Sequence, residues 1–292
     1  MSPGLSEPYP PFGKENISPP GLEKYMQQKP RYEAKAYLPA GKLKNKIAII
    51  TGGDSGIGKA VAYLFAREEA QVVISCLEEE IVDAEILKKN ISEQTNLELE
   101  IFPGDIKSYS YCDQLCKYVV EKFKTIDILV NNAAFQRHVK DIDDLSLEQW
   151  DQTFKTNIYG YFYMVKAALP YMKEGGAIIN VGSITGLEGS EDLLDYSATK
   201  GAIHAFTKSL AQKLVKKGIR VNAVAPSPVW TPLNPAEREF KDYKDFGEDQ
   251  AYGRPAQPEE ISPLFVFLAS QADSSYMTGE VISVLGGQTR AA

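Results

Sequence analysis

The 292-residue sequence predicts an α/β fold: a doubly wound, mostly parallel sheet of seven strands in a single domain. Three observations carry that expectation. Strand-like and helix-like segments alternate from residue 46 to the end. The strand-like segments are short continuous apolar runs, the pattern of strands covered on both faces. A glycine-rich loop, TGGDSGIG (51–58), separates the first such run from the first helical pattern.

The elements follow in order. KIAII (46–50) is the first strand, and KAVAYLFAREEA (59–70) places Val61, Leu64 and Phe65 at helical spacing. AQVVISC (70–76) is a second buried strand. EEEIVDAEILKKNISEQT (78–95) is an amphipathic helix and LELEIFPGDI (97–106) a third strand. YCDQLCKYVVEKFK (111–124) is a helix and IDILVNNAA (126–134) a strand. LEQWDQTFKTNIYGYFYMVKAALPYM (147–172) is one long helix, followed by the strand GAIINVGS (176–183). YSATKGAIHAFTKSLAQKLVKKG (196–218) is another long helix, and IRVNAVAP (219–226) the next strand. The helix EEISPLFVFLAS (259–270) and the strand EVISVLGG (280–287) complete about seven βα units, with no internal repeat.

Residues 1–41 stand apart as an irregular arm, and residues 42–292 are expected to form the dinucleotide-binding catalytic domain. The first 40 residues hold eight of the 17 prolines and show no apolar periodicity. Tyr9, Phe12, Tyr25, Tyr32 and Tyr37 make the arm too aromatic for a purely solvated tail, so it should lie on its own or a neighbouring subunit. A net charge of −7 argues against nucleic acid and against an anionic membrane surface. No apolar run approaches the roughly 20 residues of a membrane span. The polar, proline-rich N-terminus does not resemble a signal peptide, and a cytoplasmic location is expected. Cys76, Cys112 and Cys116 form neither a disulfide framework nor a zinc pattern. Two histidines offer no metal cluster, so no metal is expected.

The glycine loop opens the first helix, where a dinucleotide pyrophosphate is held by free backbone N–H groups and the helix dipole. Glycines are needed there because a Cβ would keep the phosphate away. Side-chain cations are not needed, so the acid at Asp54 is tolerable. Asp54 is expected either to turn outward or to bond N–H groups of its own turn. Tyr196 and Lys200, four apart, share one helix face. An ammonium beside a phenol favours the phenolate and gives a proton donor and acceptor near neutral pH. Ser183 ends a strand at the sheet edge where open α/β sheets bind ligands, so its hydroxyl could hold a substrate oxygen.

Taken together, TGGDSGIG, PGDI (103–106), NNAA (131–134), Asn157 in KTNIYG, Ser183, YSATK (196–200) and VNAVAPSPVWTPL (221–233) resemble the short-chain dehydrogenase/reductase family. RPAQPEEISPLFVFLAS and MTGEVISVLGG extend the resemblance over roughly residues 42–287. The long arm is similar to that of a bacterial subgroup of glucose/ribitol dehydrogenase-like, general-stress oxidoreductases. The resemblance implies a Rossmann-type fold and the cofactor NADP or NAD. It implies Tyr196 as general acid/base and Lys200 as the group that lowers its pKa and binds the nicotinamide ribose. Ser183 would bond the substrate carbonyl oxygen, and Asn157 would hold a water that passes protons onward from Lys200. Gly52, Ser55, Ile57 and Gly58 belong to the phosphate loop. Asp105 and Ile106 would frame the adenine, Asn132 and Ala133 line the cofactor floor, and Val229 and Thr231 clasp the carboxamide. Ala134, Pro226-Ser227 and Leu285-Gly286-Gly287 depart from the family's usual motifs without touching the acid/base set.

The selector of NAD over NADP is expected at the end of the second strand, where Cys76 and Leu77 stand in place of an acid or an arginine. With Asp54 near the ribose, Ser55 neutral and Lys59 able to soften repulsion of a 2′-phosphate, use of both cofactors is expected. Residues 231–258 lie where a substrate lid would lie, and Gln136, His138, Glu188 and Trp230 come from loops at the same edge. That polar set favours a small alcohol and its aldehyde or ketone. A ketoacyl-thioester reductase and a non-turnover NAD(P)-binding redox sensor are the alternatives. Apolar residues beyond one stripe on the two long helices point to a partner (Phe154, Tyr161, Phe162 and Val165; Ala198, Ala202, Phe206 and Leu210), and the resemblance implies a homotetramer built on these helices, with the arm expected across a subunit boundary.

Overall fold

Seven strands build the molecule: β1 (Ile47–Thr51), β2 (Gln71–Cys76), β3 (Glu100–Pro103), β4 (Ile128–Asn131), β5 (Ala177–Val181), β6 (Arg220–Pro226) and β7 (Val281–Val284). In this computed structural model, which describes residues 8–288, they form one sheet in the order β3-β2-β1-β4-β5-β6-β7. Every pairing is parallel. The expected doubly wound seven-stranded sheet is therefore what forms. Residues 1–7 of the arm and 289–292 of the catalytic domain lie outside the described residues.

The continuous apolar runs have a direct cause. Along β1, Ala48 and Ile50 face one layer while Ile47 and Ile49 face the other, and both layers are apolar. The first layer holds the helices α1 (Gly56–Arg67) and α2 (Ile81–Gln94), with residues of a late helix, Ile261 to Ala269. The second holds α3 (Tyr109–Phe123) and α5 (Gly160–Ala168), which follows α4 (Leu147–Phe154) in the chain, with Ala211 and Leu214 of a later helix. After β5 come a single turn α6 (Thr185–Glu188) and the long α7 (Leu194–Leu214). Two short helices, α8 (Leu233–Glu237) and α9 (Phe240–Tyr243), follow β6, and α10 (Pro258–Ala269) and α11 (Gln271–Ser274) precede β7. Each fully buried Ile or Leu of these layers contributes about 1.5–3 kcal/mol relative to exposure. Cys76, Cys112 and Cys116 are free and buried among them, and burial pushes the Cys112 thiol up to about 12. They serve as small hydrophobes.

The structure differs from expectation in two places. The third strand is shorter than 97–106, because Leu97 and Glu98 precede the ladder with β2 and Gly104 turns away at φ +144°. The long helix 147–172 contains a π turn at Lys155–Tyr159 and ends in a 3-10 turn at Leu169–Tyr171. The arm packs along its own chain. Phe12 stacks on Trp230 with ring centroids 3.9 Å apart, and Met26 and Tyr243 join this small core. Arg67 donates to the carbonyls of Glu33, Ala34 and Tyr37, and Glu68 accepts from the amides of Ala40 and Lys42.

Candidate active site

The strand order reverses between β1 and β4, and the C-terminal edge beside that point is where open α/β sheets place ligands. The expected residues gather there. β5 ends at Val181, and Gly182 leads to Ser183, whose Oγ accepts from Thr185 N (3.1 Å) and Thr185 Oγ1 (3.0 Å). α7 brings Tyr196 and Lys200 to the same edge on one face. Lys200 is buried, donates from Nζ to Val181 O (2.7 Å) and lies 5.2 Å from the Tyr196 ring centroid. Asp195 anchors the start of α7: it is buried, accepts from Thr153 Oγ1 (2.6 Å) and Gln149 Nε2 (3.2 Å), and also takes the Tyr196 amide (2.8 Å).

The electrostatics depart from expectation. Burial holds the Tyr196 phenol well above its ordinary value, with the Ser183 hydroxyl opposing and the Glu237 carboxylate adding to the shift. Burial also pushes the Lys200 ammonium down to about 7. The expected depression of the phenol by the lysine is thus outweighed, because the enclosed site desolvates both charged forms.

Asn157 sits in the π turn and is fully buried. Its Nδ2 donates to Phe135 O (2.9 Å) and Thr199 Oγ1 (3.0 Å), and its Oδ1 accepts from Phe135 N (2.8 Å). Both amide hydrogens are committed, so the side chain pins the loop after β4 to α7.

The cradle for a dinucleotide is equally defined. Thr51 Oγ1 accepts from the amides of Asn132 (2.9 Å) and Ala133 (3.1 Å), and Asn132 Nδ2 donates to Thr51 O (3.0 Å) and Gly52 O (2.8 Å). This ties the glycine loop to the end of β4. A Cβ on Gly58 would lie 1.9 Å from Gly52 O, so only glycine closes that turn. Among the described residues, the N–H groups of Ile57 and Gly58 in the first turn of α1 have no protein acceptor. Free amides at a helix N-terminus fit a pyrophosphate. Ile106 is buried against Gly160, whereas Asp105 stays at the rim, paired with Lys107 at 3.2 Å. Val229 bridges to Ala256, and Asn234 Nδ2 bonds Val229 O (2.9 Å) and Thr231 Oγ1 (3.2 Å), fixing the segment opposite the loop.

A family model described as enoyl-(acyl carrier protein) reductase matches residues 52–289. An uncharacterised oxidoreductase of Bacillus subtilis is 50% identical over 269 residues, covering 92% of each chain. The chain belongs to the short-chain dehydrogenase/reductase family. Glucose and ribitol dehydrogenase of Daucus carota is 44% identical over 284 residues, covering 96% of each chain. The chloroplastic NADPH-dependent aldehyde reductase 1 of Arabidopsis thaliana is 43% identical over 272 residues, covering 92% of this chain and 94% of its own. A crystal structure of a short-chain dehydrogenase from Burkholderia cenocepacia in complex with NADP superposes with a TM-score of 0.77 at 28% identity, over 84% of this chain and 98% of that one. Like its relatives, this short-chain dehydrogenase/reductase is an NAD(P)-dependent oxidoreductase acting on small molecules. No helix among the described residues is long and apolar enough to cross a membrane.

Within this family member, Asp54 and Cys76 share one enclosed acidic pocket, whereas Lys59 and Trp230 do not take their expected places. Asp54 neither turns outward nor faces solvent. It is 2% exposed, and burial together with the Glu80 carboxyl holds it well above the ordinary carboxylate range. Cys76 ends β2 in the same acidic surroundings, facing Asp54, Glu80, Glu78 and Asp83. Lys59 cannot soften repulsion of a 2′-phosphate, because Glu23 of the arm takes its Nζ at 2.6 Å. Trp230 does not reach the substrate edge: it is fully buried against Phe12. In an extended segment neighbouring side chains point opposite ways, so Thr231 faces Gly56 of the loop while Trp230 faces the arm. Glu188 lies on exposed α6.

Three residues at the site carried no sequence signal. Glu237 of α8 accepts from Gln136 Nε2 (3.1 Å) and His138 N (2.9 Å), and its Oε1 lies 2.6 Å from His138 Nδ1. His204, one turn beyond Lys200, stands behind Ser183 with Nε2 3.5 Å from the Ser183 amide. Burial, with Lys200 nearby, pushes this imidazole down to about 4, so it is neutral. A Cβ on Gly182 would lie 2.3 Å from its Nε2, so the glycine makes room for it. Asn234, the third, brackets Val229 and Thr231.

Proposed function

We propose that the protein interconverts a small polar alcohol and its aldehyde or ketone, with Tyr196 as general acid/base. The observation that carries this is the convergence of Ser183, Tyr196 and Lys200 at the C-terminal edge of β5. The nicotinamide, when bound, supplies or accepts the hydride. Ser183 Oγ holds the substrate carbonyl oxygen beside the phenol. Tyr196 gives its proton to that oxygen in reduction and takes the alcohol's proton in oxidation. Lys200 holds the nicotinamide ribose and, as an ammonium, stabilises the phenolate. Asn157 keeps the loop after β4 in place, and His204 holds the Ser183 backbone.

Gly52, Ser55, Ile57 and Gly58 hold the pyrophosphate. Asp54 and Cys76 lie toward the adenosine ribose, Asp105 and Ile106 at the adenine, Asn132 and Ala133 at the floor, and Val229 and Thr231 at the carboxamide. The region from residue 42 onward acts as the catalytic domain. The names of the aldehyde reductase and of the glucose and ribitol dehydrogenase support a carbonyl or polyol substrate. The wall of Gln136, His138 and Glu237 supports a hydroxylated one, since it offers hydrogen-bonding groups and a carboxylate. The test is NADPH and NADH oxidation with a panel of small aldehydes and hydroxyaldehydes, on wild type and Tyr196→Phe. Turnover of at least one member is expected, with the variant below about a tenth of wild-type kcat while still binding cofactor, because acid–base catalysis contributes ~10²–10⁴-fold. A Tyr196→Phe enzyme above that level would remove the phenol from the mechanism. No turnover of any aldehyde or ketone would favour the redox-sensor reading.

A further inference from the structure

Three segments far apart in sequence meet beside the cradle. Gly21, at φ +98°, presses so close to the lid that a Cβ there would lie 3.1 Å from Pro232 O and from Ala236 Cβ. Two residues on, Glu23 is 2% exposed and its carboxylate accepts from Gly56 N (3.0 Å) and from Lys59 Nζ (2.6 Å). Gly56 in turn faces the lid, where its Cβ would lie 3.0 Å from Thr231 Cγ2. The arm is locked at this point from the other side too, since Asp83 of α2 accepts from the amides of Glu23 (2.7 Å) and Lys24 (2.9 Å). Tyr32 of the arm lies 4.4 Å beneath the Lys59 ammonium.

The arm continues along the lid. Phe12 N donates to Lys244 O (2.6 Å), Glu15 N donates to Tyr243 Oη (2.7 Å), and Trp230 Nε1 donates to Gln28 O (2.7 Å). The Glu15 carboxylate folds the arm back on itself by accepting from the amides of Gln27 (2.6 Å) and Gln28 (2.9 Å).

Glu23 does what a capping side chain would do for α1. Ser55, the residue before the helix, makes no side-chain cap of its own. The first N–H of α1 and a buried ammonium would be left unpaired without the arm, each a costly state. Lys59 offsets the charge of Glu23, so a carboxylate can stand at a helix end that also receives a diphosphate. The turn whose Ile57 and Gly58 amides face the cofactor is therefore held in place by the arm. The same arm holds Trp230, Tyr243 and the start of α8.

We infer that the N-terminal arm is a clasp coupling the dinucleotide site to the substrate lid, with Glu23 as a positioning residue for the phosphate loop and Phe12 as its anchor on the lid. Cofactor binding and lid order are two readings of one assembly. A ligand that fixes the loop fixes the lid through the arm, and loss of either anchor uncouples them.

The test uses the full chain and NADPH. Dissociation constants are read from nucleotide fluorescence well below the melting temperature, and hydrogen exchange is followed over 231–246 with and without NADPH. Wild type is expected to bind NADPH and to gain protection over 231–246. Glu23→Ala should weaken NADPH binding by about 5- to 50-fold, within the usual range of coupling between sites. Glu23→Gln, which keeps an acceptor for Gly56, should recover part of that loss. Phe12→Ala should leave NADPH binding within a few-fold but abolish the NADPH-dependent protection of 231–246. If Glu23→Ala does not fold, Glu23→Gln and Phe12→Ala carry the test. A lowered melting temperature with unchanged NADPH affinity and unchanged protection on binding would make the arm a stabilising strap and overturn the coupling. Failure of wild type to bind NADPH would instead count against the cofactor assignment itself.

Discussion

Replacing Glu237 separates its structural from its electrostatic role. The side chain is 3% exposed and accepts from Gln136 Nε2 and from the backbone and ring of His138. Glu237→Ala leaves at least two enclosed donors without an acceptor, at ~1–3 kcal/mol each, or about 2–6 kcal/mol in all. For a chain of this size that corresponds to a melting temperature lower by about 5–20 °C. Glu237→Gln keeps an acceptor and the side-chain volume, so its loss should be smaller, about 1 kcal/mol. The charge effect appears in both variants. Glu237 raises the Tyr196 phenol, so removing the carboxylate must lower it. The rate of alcohol oxidation, which needs the phenolate, should then reach its half-maximum at a lower pH in Glu237→Gln than in wild type. The assay is kcat/KM for alcohol oxidation between pH 6 and 10, alongside thermal melts. A profile that stays put or moves to higher pH would refute the electrostatic coupling. A melt of Glu237→Ala within 2 °C of wild type would refute the buried latch.

Lys200→Met should abolish turnover yet raise the melting temperature at pH 6. The folded-state ammonium is depressed to about 7 from 10.5, so its burial penalty is largest below pH 7 and fades as the pH rises toward 10.5. A gain that is constant from pH 6 to 10 would contradict this. Asp54→Asn should stabilise the protein at pH 7 but not below about pH 4, because the folded-state carboxyl is raised and resists ionisation; the pH dependence of thermal melts decides it. The same variant should shift kcat/KM a few-fold toward NADP over NAD, and an unmoved ratio would place Asp54 away from the ribose. Phe162→Glu should break a homotetramer into smaller species in light scattering. Phe162 and Tyr159 are about half exposed and line an apolar groove of ≈ 260 Å³ with Ile158, Tyr161, Ile203 and Phe206. A wild-type monomer in solution would refute it.

The sheet and its order were readable because apolar residues fill both faces of nearly every strand. The motif residues were readable because glycine, phenol and ammonium occupy fixed places along that sheet. What escaped the sequence depends on partners distant along the chain. Glu237 stands in a charged run where nothing distinguishes it from Glu239, which pairs with Lys241 at the surface. Glu23 lies 33 residues before its donor, the Gly56 amide, in a segment without periodicity. Trp230 differs from its expected place because the alternation of an extended segment sends it to the arm while Thr231 faces the loop. Of the apolar residues expected to form a second helix face, Tyr161 and Val165 are spent on the chain's own core, while Phe162 is free to meet a partner. His204 looked like one more residue of a buried helix, and only the approach of Gly182 shows what it supports.

The π turn at Lys155–Tyr159 also acts as a phase corrector. Gln149, Thr153, Asn157 and Tyr161 are spaced four apart, and each bonds toward α7 or the β5 edge. In a regular α-helix every four-residue step overshoots a full turn by about 40°, so four such residues would spiral away from one another. The wider turn gives that overshoot back midway, and the four polar side chains stay in one line. Were the same residues wound at ordinary pitch, everything beyond them would be rotated by about 100°. Tyr161 would leave Val181, and the strand end that carries Ser183 would lose its neighbour. The pitch of this segment is therefore as much a constraint on the site as the identity of any residue in it.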